Sequence, residues 1–157
     1  MLRKSLKAGL LLVAAAAPTV AGDQVPFKGW FAGQTLSAVP TDDPAVLLVT
    51  TGGGGEATHL GRYQFVSPHL ANLVTGEVIG TQYFTAANGD VLTADFSGQF
   101  QPAPGGRLAA RLTATITGGT GRFRGATGGY AFDIVFDPAT FVSAATIDGT
   151  ISPPGGP

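Results

Sequence analysis

Residues Glu77 to Phe100 read EVIGTQYFTAANGDVLTADFSGQF, two runs of alternating apolar and polar residues on either side of Asn88-Gly89. Alternation sends successive side chains to opposite faces of a sheet. Asn-Gly between two such runs is the strongest short-range hairpin signal, because both central residues of a type I′ turn need positive φ. A two-residue loop of that kind makes Ala87 oppose Asp90 and sets the register. One face then carries Ile79, Thr81, Tyr83, Leu92, Ala94, Phe96 and Phe100, and the other Val78, Gln82, Phe84, Thr93, Asp95, Ser97 and Gln99. The first face is expected to be the buried one.

Similar runs recur outward from this hairpin at Phe27–Leu36, Val46–Thr51, Thr58–Val66, Arg107–Thr117, Gly129–Phe136 and Val142–Ile151, which with Glu77–Ala86 and Val91–Phe100 makes eight strands. Leu108, Ala110, Leu112, Ala114 and Ile116 alternate with Arg107, Arg111, Thr113, Thr115 and Thr117, and Tyr130, Phe132, Ile134 and Phe136 with Ala131, Asp133 and Val135. After Ala21 no stretch repeats apolar residues at helical spacing. Eight one-sided strands joined by short turns predict an all-β fold, an eight-stranded antiparallel β-barrel, because closure removes exposed sheet edges; a β-sandwich is the alternative. Gly52 to Gly55 reads as a flexible loop, and Phe27, Trp30 and Phe31 read as core.

Composition agrees. The chain has 157 residues, room for one domain, with 24 Gly, 11 Pro, 12% charged residues and no Cys. Disulfides, thiolate metal sites and cysteine nucleophiles are thereby excluded. Arg3, Lys4 and Lys7 precede an apolar run from Ala8 to Ala17, and Thr19-Val20-Ala21 has the small-residue form of a cleavage site. Residues 1–21 are therefore expected to be a signal peptide, since the run falls short of the roughly 20 apolar residues that span a bilayer. The barrel domain is expected over 22–151, with 152–157 a flexible C-terminal tail, and the location periplasmic or extracellular. Cleavage leaves six basic residues against ten acidic ones. That balance excludes nucleic acid and anionic membranes as partners, with no membrane insertion expected after cleavage.

Residues 116–131, ITGGTGRFRGATGGYA, are the most distinctive stretch. Gly119 and Gly121 are followed by Gly125 one position late for a dinucleotide fingerprint, the next element is a strand, and no Gly-Lys-Ser/Thr is present. Gly118, Gly119, Gly121, Gly125 and Gly128 instead read as turn glycines between two barrel strands, with Phe123 plugging the barrel end. This segment resembles the strand-turn-strand signature shared by plant dirigent proteins and allene oxide cyclases. The likeness extends weakly over the Gly89-Asp90 hairpin and the last strand to Ile151, about half of the cleaved chain. The chain is thereby identified as a bacterial-looking, secreted member of that β-barrel group. The resemblance implies a calycin-like barrel with an apolar central cavity, often trimeric, that steers the cyclisation or coupling of a reactive small molecule. It assigns no catalytic residue here.

Direct chemical signals are sparse. His59 and His69 flank an expected turn at Ser67-Pro68, with Glu56 and Glu77 the nearest carboxylates, a spacing that matches no compact zinc motif. They read as loop histidines, and neither metal nor cofactor is expected. Ser97-Gly98 lacks the preceding glycine of a nucleophile elbow. If the third and fourth strands turn the right faces inward, His59, Tyr63, Glu77 and Tyr83 join Phe96 and Tyr130 around a small-ligand site. A buried Glu77 would then have a raised pKa and serve as general acid or base. In the other reading Glu77 lies in the solvated Thr75-Gly76 turn and the tyrosines are rim residues. Asp95, Arg111 and Asp133 fall on polar faces and are expected outside. Three functions stay open: a barrel that binds a small hydrophobic molecule or has a non-catalytic role, an isomerase or cyclase of the allene oxide cyclase type, and a structural or surface-interaction protein.

Overall fold

The computed structural model describes residues 23–155, so the expected signal peptide at 1–21 lies outside the described residues. Nine strands follow one another: β1 (Val25–Pro40), β2 (Val46–Ala57), β3 (Gly61–Asn72), β4 (Glu77–Ala86), β5 (Val91–Gln99), β6 (Gln101–Ala103), β7 (Arg107–Gly119), β8 (Gly128–Asp137) and β9 (Val142–Ile151). They are hydrogen-bonded in the order β5-β4-β3-β2-β1-β9-β8-β7, and β5 pairs with β7 to close the ring. Every pairing is antiparallel. The short β6 pairs with β7 in the register that β5 leaves, Ser97 facing Thr113 and Gln101 facing Ala109. It continues the β5 stave past Phe100, whose N–H turns aside to Gly76 O at 2.9 Å. The result is a closed eight-stave antiparallel barrel, as the alternation predicted, and closure rules out the sandwich.

Four expectations need correction. The hairpin at Asn88-Gly89 has a three-residue loop, with Ala86 opposite Asp90: Gly89 N–H donates to Ala86 O and Ala86 N–H to Asp90 O, each at 2.9 Å. Gly89 has φ 93°, while Asn88 keeps an ordinary negative φ, so this is a type I turn ending in a left-handed glycine. Phe84 consequently faces Leu92, and Gln82 faces Ala94. That one-residue slip leaves the β5 face as expected but reverses β4. Val78, Gln82, Phe84 and Ala86 are buried, whereas Ile79 is 61% and Tyr83 43% exposed.

The run Gly52 to Gly55 is strand, inside β2, and no loop. A Cβ on Gly53 or Gly55 would overlap the carbonyl oxygens of Ala32 and Trp30, so bare backbone is what lets β1 and β2 approach. It also opens space for the β3 aromatics: the Tyr63 hydroxyl reaches across β2 to donate to Trp30 O at 3.0 Å. Ser67-Pro68, expected as a turn, lies within β3. The β3–β4 ladder skips these two residues and resumes in the same register at His69 and Gly80, which accommodates a proline that has no N–H to give.

The interior is a continuous aromatic and aliphatic core. Phe27, Phe84, Phe123, Phe132, Leu92, Leu112, Ile151 and Gln82 are each less than 2% exposed. Ring contacts run from Phe27 to Tyr130 (5.3 Å), Tyr130 to Phe132 (6.0 Å) and Phe132 to Phe96 (5.5 Å), with Phe31 against Phe65 at 4.8 Å. Trp30, expected in the core, is 53% exposed. It sits at the opposite parity to Phe27 and Phe31 on β1, so burying those two turns it outward.

Candidate functional site

The two barrel ends differ. At one end the loops after β2, β4 and β7 converge, and the single 3₁₀ turn Gly121–Phe123 drives a fully buried Phe123 into the opening. Leu60 and Ala126 belong to the same buried cluster, and the Ala126 N–H donates to Phe123 O at 3.0 Å. The glycine-rich segment performs the structural part expected of it: Gly118, Gly121, Gly125 and Gly128 all have positive φ, and a Cβ on Gly119 would strike Val91 O. Arg122 ties the seal together. Its guanidinium donates to Asp90 at 3.1 Å and to the His59 carbonyl at 3.2 Å. The Arg122 backbone N–H and the Asn88 side chain also donate to the Asp90 carboxylate and, with the guanidinium, hold it below the usual carboxylate range. Ser152 to Gly155, the described part of the expected tail, is tied to the same region: Ser152 N–H donates to Thr127 O at 2.8 Å and Gly155 N–H to Arg122 O at 3.0 Å.

Inside the barrel both buried tyrosine hydroxyls are satisfied. The Tyr130 hydroxyl donates to Gln82 Oε1, and Tyr63 to the Trp30 carbonyl. Burial raises the pKa of both tyrosines, so they are neutral donors at physiological pH. Among the described residues no buried side-chain polar atom lacks a partner. Toward the other end the β3 inner face runs through Ser67, 4% exposed, to His69, whose ring lies 5.9 Å from Phe96 and whose Nδ1 is 3.0 Å from Ser67 O. Burial lowers the His69 pKa, the bond to the Ser67 carbonyl opposing it, so the imidazole is held neutral.

The six residues grouped by the sequence divide. Tyr63, Phe96 and Tyr130 are buried in the interior. Tyr83 faces outward, Glu77 is exposed at the start of β4 with its N–H on Thr75 Oγ1 at 3.2 Å, and His59 is exposed in the β2–β3 turn with φ 67°. The inward facing expected for Tyr83 and Glu77 fails with the hairpin register. Asp95, Arg111 and Asp133 lie outside as expected, Arg111 paired with Asp133 at 2.8 Å and Asp95 accepting from Thr81 at 2.9 Å. His69 and Gln82 were missed as inward polar groups, although Tyr63, Phe65, Ser67 and His69 share one parity. Among the described residues no group of three or more His, Asp or Glu could hold a metal ion.

Two recesses lie on the outer wall. One, of about 670 Å³, spans β1 to β4 near Trp30, and the other, of about 590 Å³, lies beside Leu70, Ile79 and Glu77. The second adjoins a cross-strand row of exposed aliphatics, Val39 facing Leu48, Leu48 facing Leu70 and Leu70 facing Ile79.

A pterocarpan synthase dirigent protein of known structure superposes on this barrel over 86% of this chain and 87% of its own, with a TM-score of 0.50 and 12% sequence identity. The fold is dirigent-like. At that identity the likeness carries the barrel alone, and the chemistry rests on the residues described above. No family model matches the chain, and no curated protein matches it.

Proposed function

We propose that this dirigent-like barrel is an exported, non-catalytic module whose interior is packed for stability and whose outer wall makes its contacts. The observation that carries the reading is the filled interior. An eight-stave barrel is just wide enough for side chains to fill or for one small ligand to occupy. Here Phe27, Phe84, Phe132, Leu92 and Leu112 take that space, and Phe123 closes one end. The outward row Val39, Leu48, Leu70 and Ile79 supports contact with a second copy of the chain, in keeping with the trimers of the resembled families.

A second reading is favoured by His69. Its half-buried imidazole, beside Ser67 and Phe96, lies on the inner face of β3 toward the end opposite Phe123, where a small hydrophobic molecule or a reactive intermediate would meet it. A ligand held there stabilises the fold in proportion to its occupancy. Thermal melts against a panel of phenolics and fatty acids separate the readings. An unchanged Tm throughout supports the packed module; a saturable rise in Tm that His69→Leu abolishes overturns it in favour of the second.

A further inference from the structure

The recess around Trp30 exists because β2 is bare. On the outer wall Ala32, Gly54, Gln64 and Thr85 form one cross-strand row, and Trp30, Glu56 and Arg62 form the next. Gly54 puts no side chain above the sheet, so the trough of about 670 Å³ has backbone for its floor and Trp30 for one wall. From β1 to β4 it crosses three strand spacings, about 14 Å in all. Such a length suits a short chain of rings better than one ring.

The polar groups here are unspent. Elsewhere on the outer wall opposed charges pair, Arg111 with Asp133 and Lys28 with Asp148. Glu56 and Arg62 are directly opposed too. Yet among the described residues neither joins an ion pair, and the side chains of Trp30, Gln64 and Thr85 make no hydrogen bond. The trough therefore offers a half-exposed indole face, a carboxylate acceptor, a guanidinium donor, an amide and a hydroxyl, with zero net charge.

We propose that this trough binds a neutral oligosaccharide chain. A pyranose ring has an apolar face of axial C–H bonds that stacks on an indole, and a rim of hydroxyls that each donate one hydrogen bond and accept up to two. Glu56 beside Arg62 matches that rim. Phosphate-bearing chains would call for net positive charge, and a purely apolar ligand would leave both charges desolvated and unpaired. The inference rests on the reading that the outer wall makes the contacts, and it names the partner's chemistry.

Trp30 is the chain's only tryptophan, so its fluorescence reports on the trough directly. The test titrates the protein with hexasaccharides of β-1,4-glucose, β-1,3-glucose and β-1,4-xylose, with a galacturonate hexamer as the charged comparison. A saturable change in Trp30 emission with at least one neutral chain is expected. Arg62→Ala and Gln64→Ala, whose side chains take no part in the fold's hydrogen bonds, should each weaken binding about five- to tenfold. Trp30→Ala should lose retardation in a native gel containing the parent polysaccharide while keeping its Tm. No saturable change with any neutral chain, a response to galacturonate alone, or a response that both alanine variants leave intact overturns the proposal. A small molecule found inside the barrel would leave Trp30 unmoved, so failure of the packed-interior reading is seen separately.

Discussion

Arg122 and Asp90 meet twice: the guanidinium lies 3.1 Å from the carboxylate and the Arg122 backbone N–H lies 3.2 Å from the same oxygen. Because Arg122 also donates to the His59 carbonyl, one side chain joins the β2–β3 turn, the β4–β5 hairpin and the plug. Gly121 completes the fit, since a Cβ there would overlap the Asp90 carboxylate. Arg122→Ala is expected to lower Tm by several degrees and to speed local hydrogen exchange in all three loops. Asp90→Asn should also change the acid limb. A carboxyl with a depressed folded pKa stabilises above its ordinary value of about 3.9 and loses that contribution as pH falls through the folded value. The variant should therefore be less stable at neutral pH and show a flatter decline below about pH 4.

The corrected hairpin register is tested by neighbouring aromatics. Phe84→Ala should cost about 3–5 kcal/mol in urea unfolding, because it empties a fully buried site, whereas Tyr83→Ala on the outer face should cost less than about 1 kcal/mol. The reverse order of effects would restore the two-residue loop.

This pair also shows what the sequence could and could not disclose. On β7 and β9 the two faces differ in polarity, so alternation alone orients them. On β4 both faces are apolar, with Val78 and Phe84 on one and Ile79 and Tyr83 on the other, and only the turn decides. Asn-Gly serves either loop length: the two-residue loop needs positive φ at both Asn88 and Gly89, the three-residue loop at Gly89 alone. Trp30 was legible by parity with Phe27 and Phe31. His69 was hidden because Pro68 reads as a breaker, when it sits in a gap of the ladder. The Trp30 trough depends on which residues of four strands stand side by side, which no single strand discloses.

The glycines of β2 yield a sharper test. Gly55→Ala should destabilise the protein by several kcal/mol or prevent folding, since the new methyl overlaps the Trp30 carbonyl between paired strands. A flexible-loop role for the run would leave the chemical-denaturation midpoint unchanged.

His69 sets a pH dependence of its own. Its folded pKa lies below the ordinary value of about 6.5, so the unfolded chain takes up the proton first. Stability is then full above about pH 6.5 and is lost as pH falls from there through the folded value. Circular-dichroism melts from about pH 7.5 to 4.5 should show this decline in the native chain and a flatter one in His69→Leu.

The packed interior is tested most directly by native mass spectrometry of the protein isolated from its native source. The account predicts the mass of the bare polypeptide, alone or in whole-number multiples, unchanged after incubation with phenolics and fatty acids. A stoichiometric apolar molecule retained on each chain would contradict it and make the barrel a carrier or a cyclase.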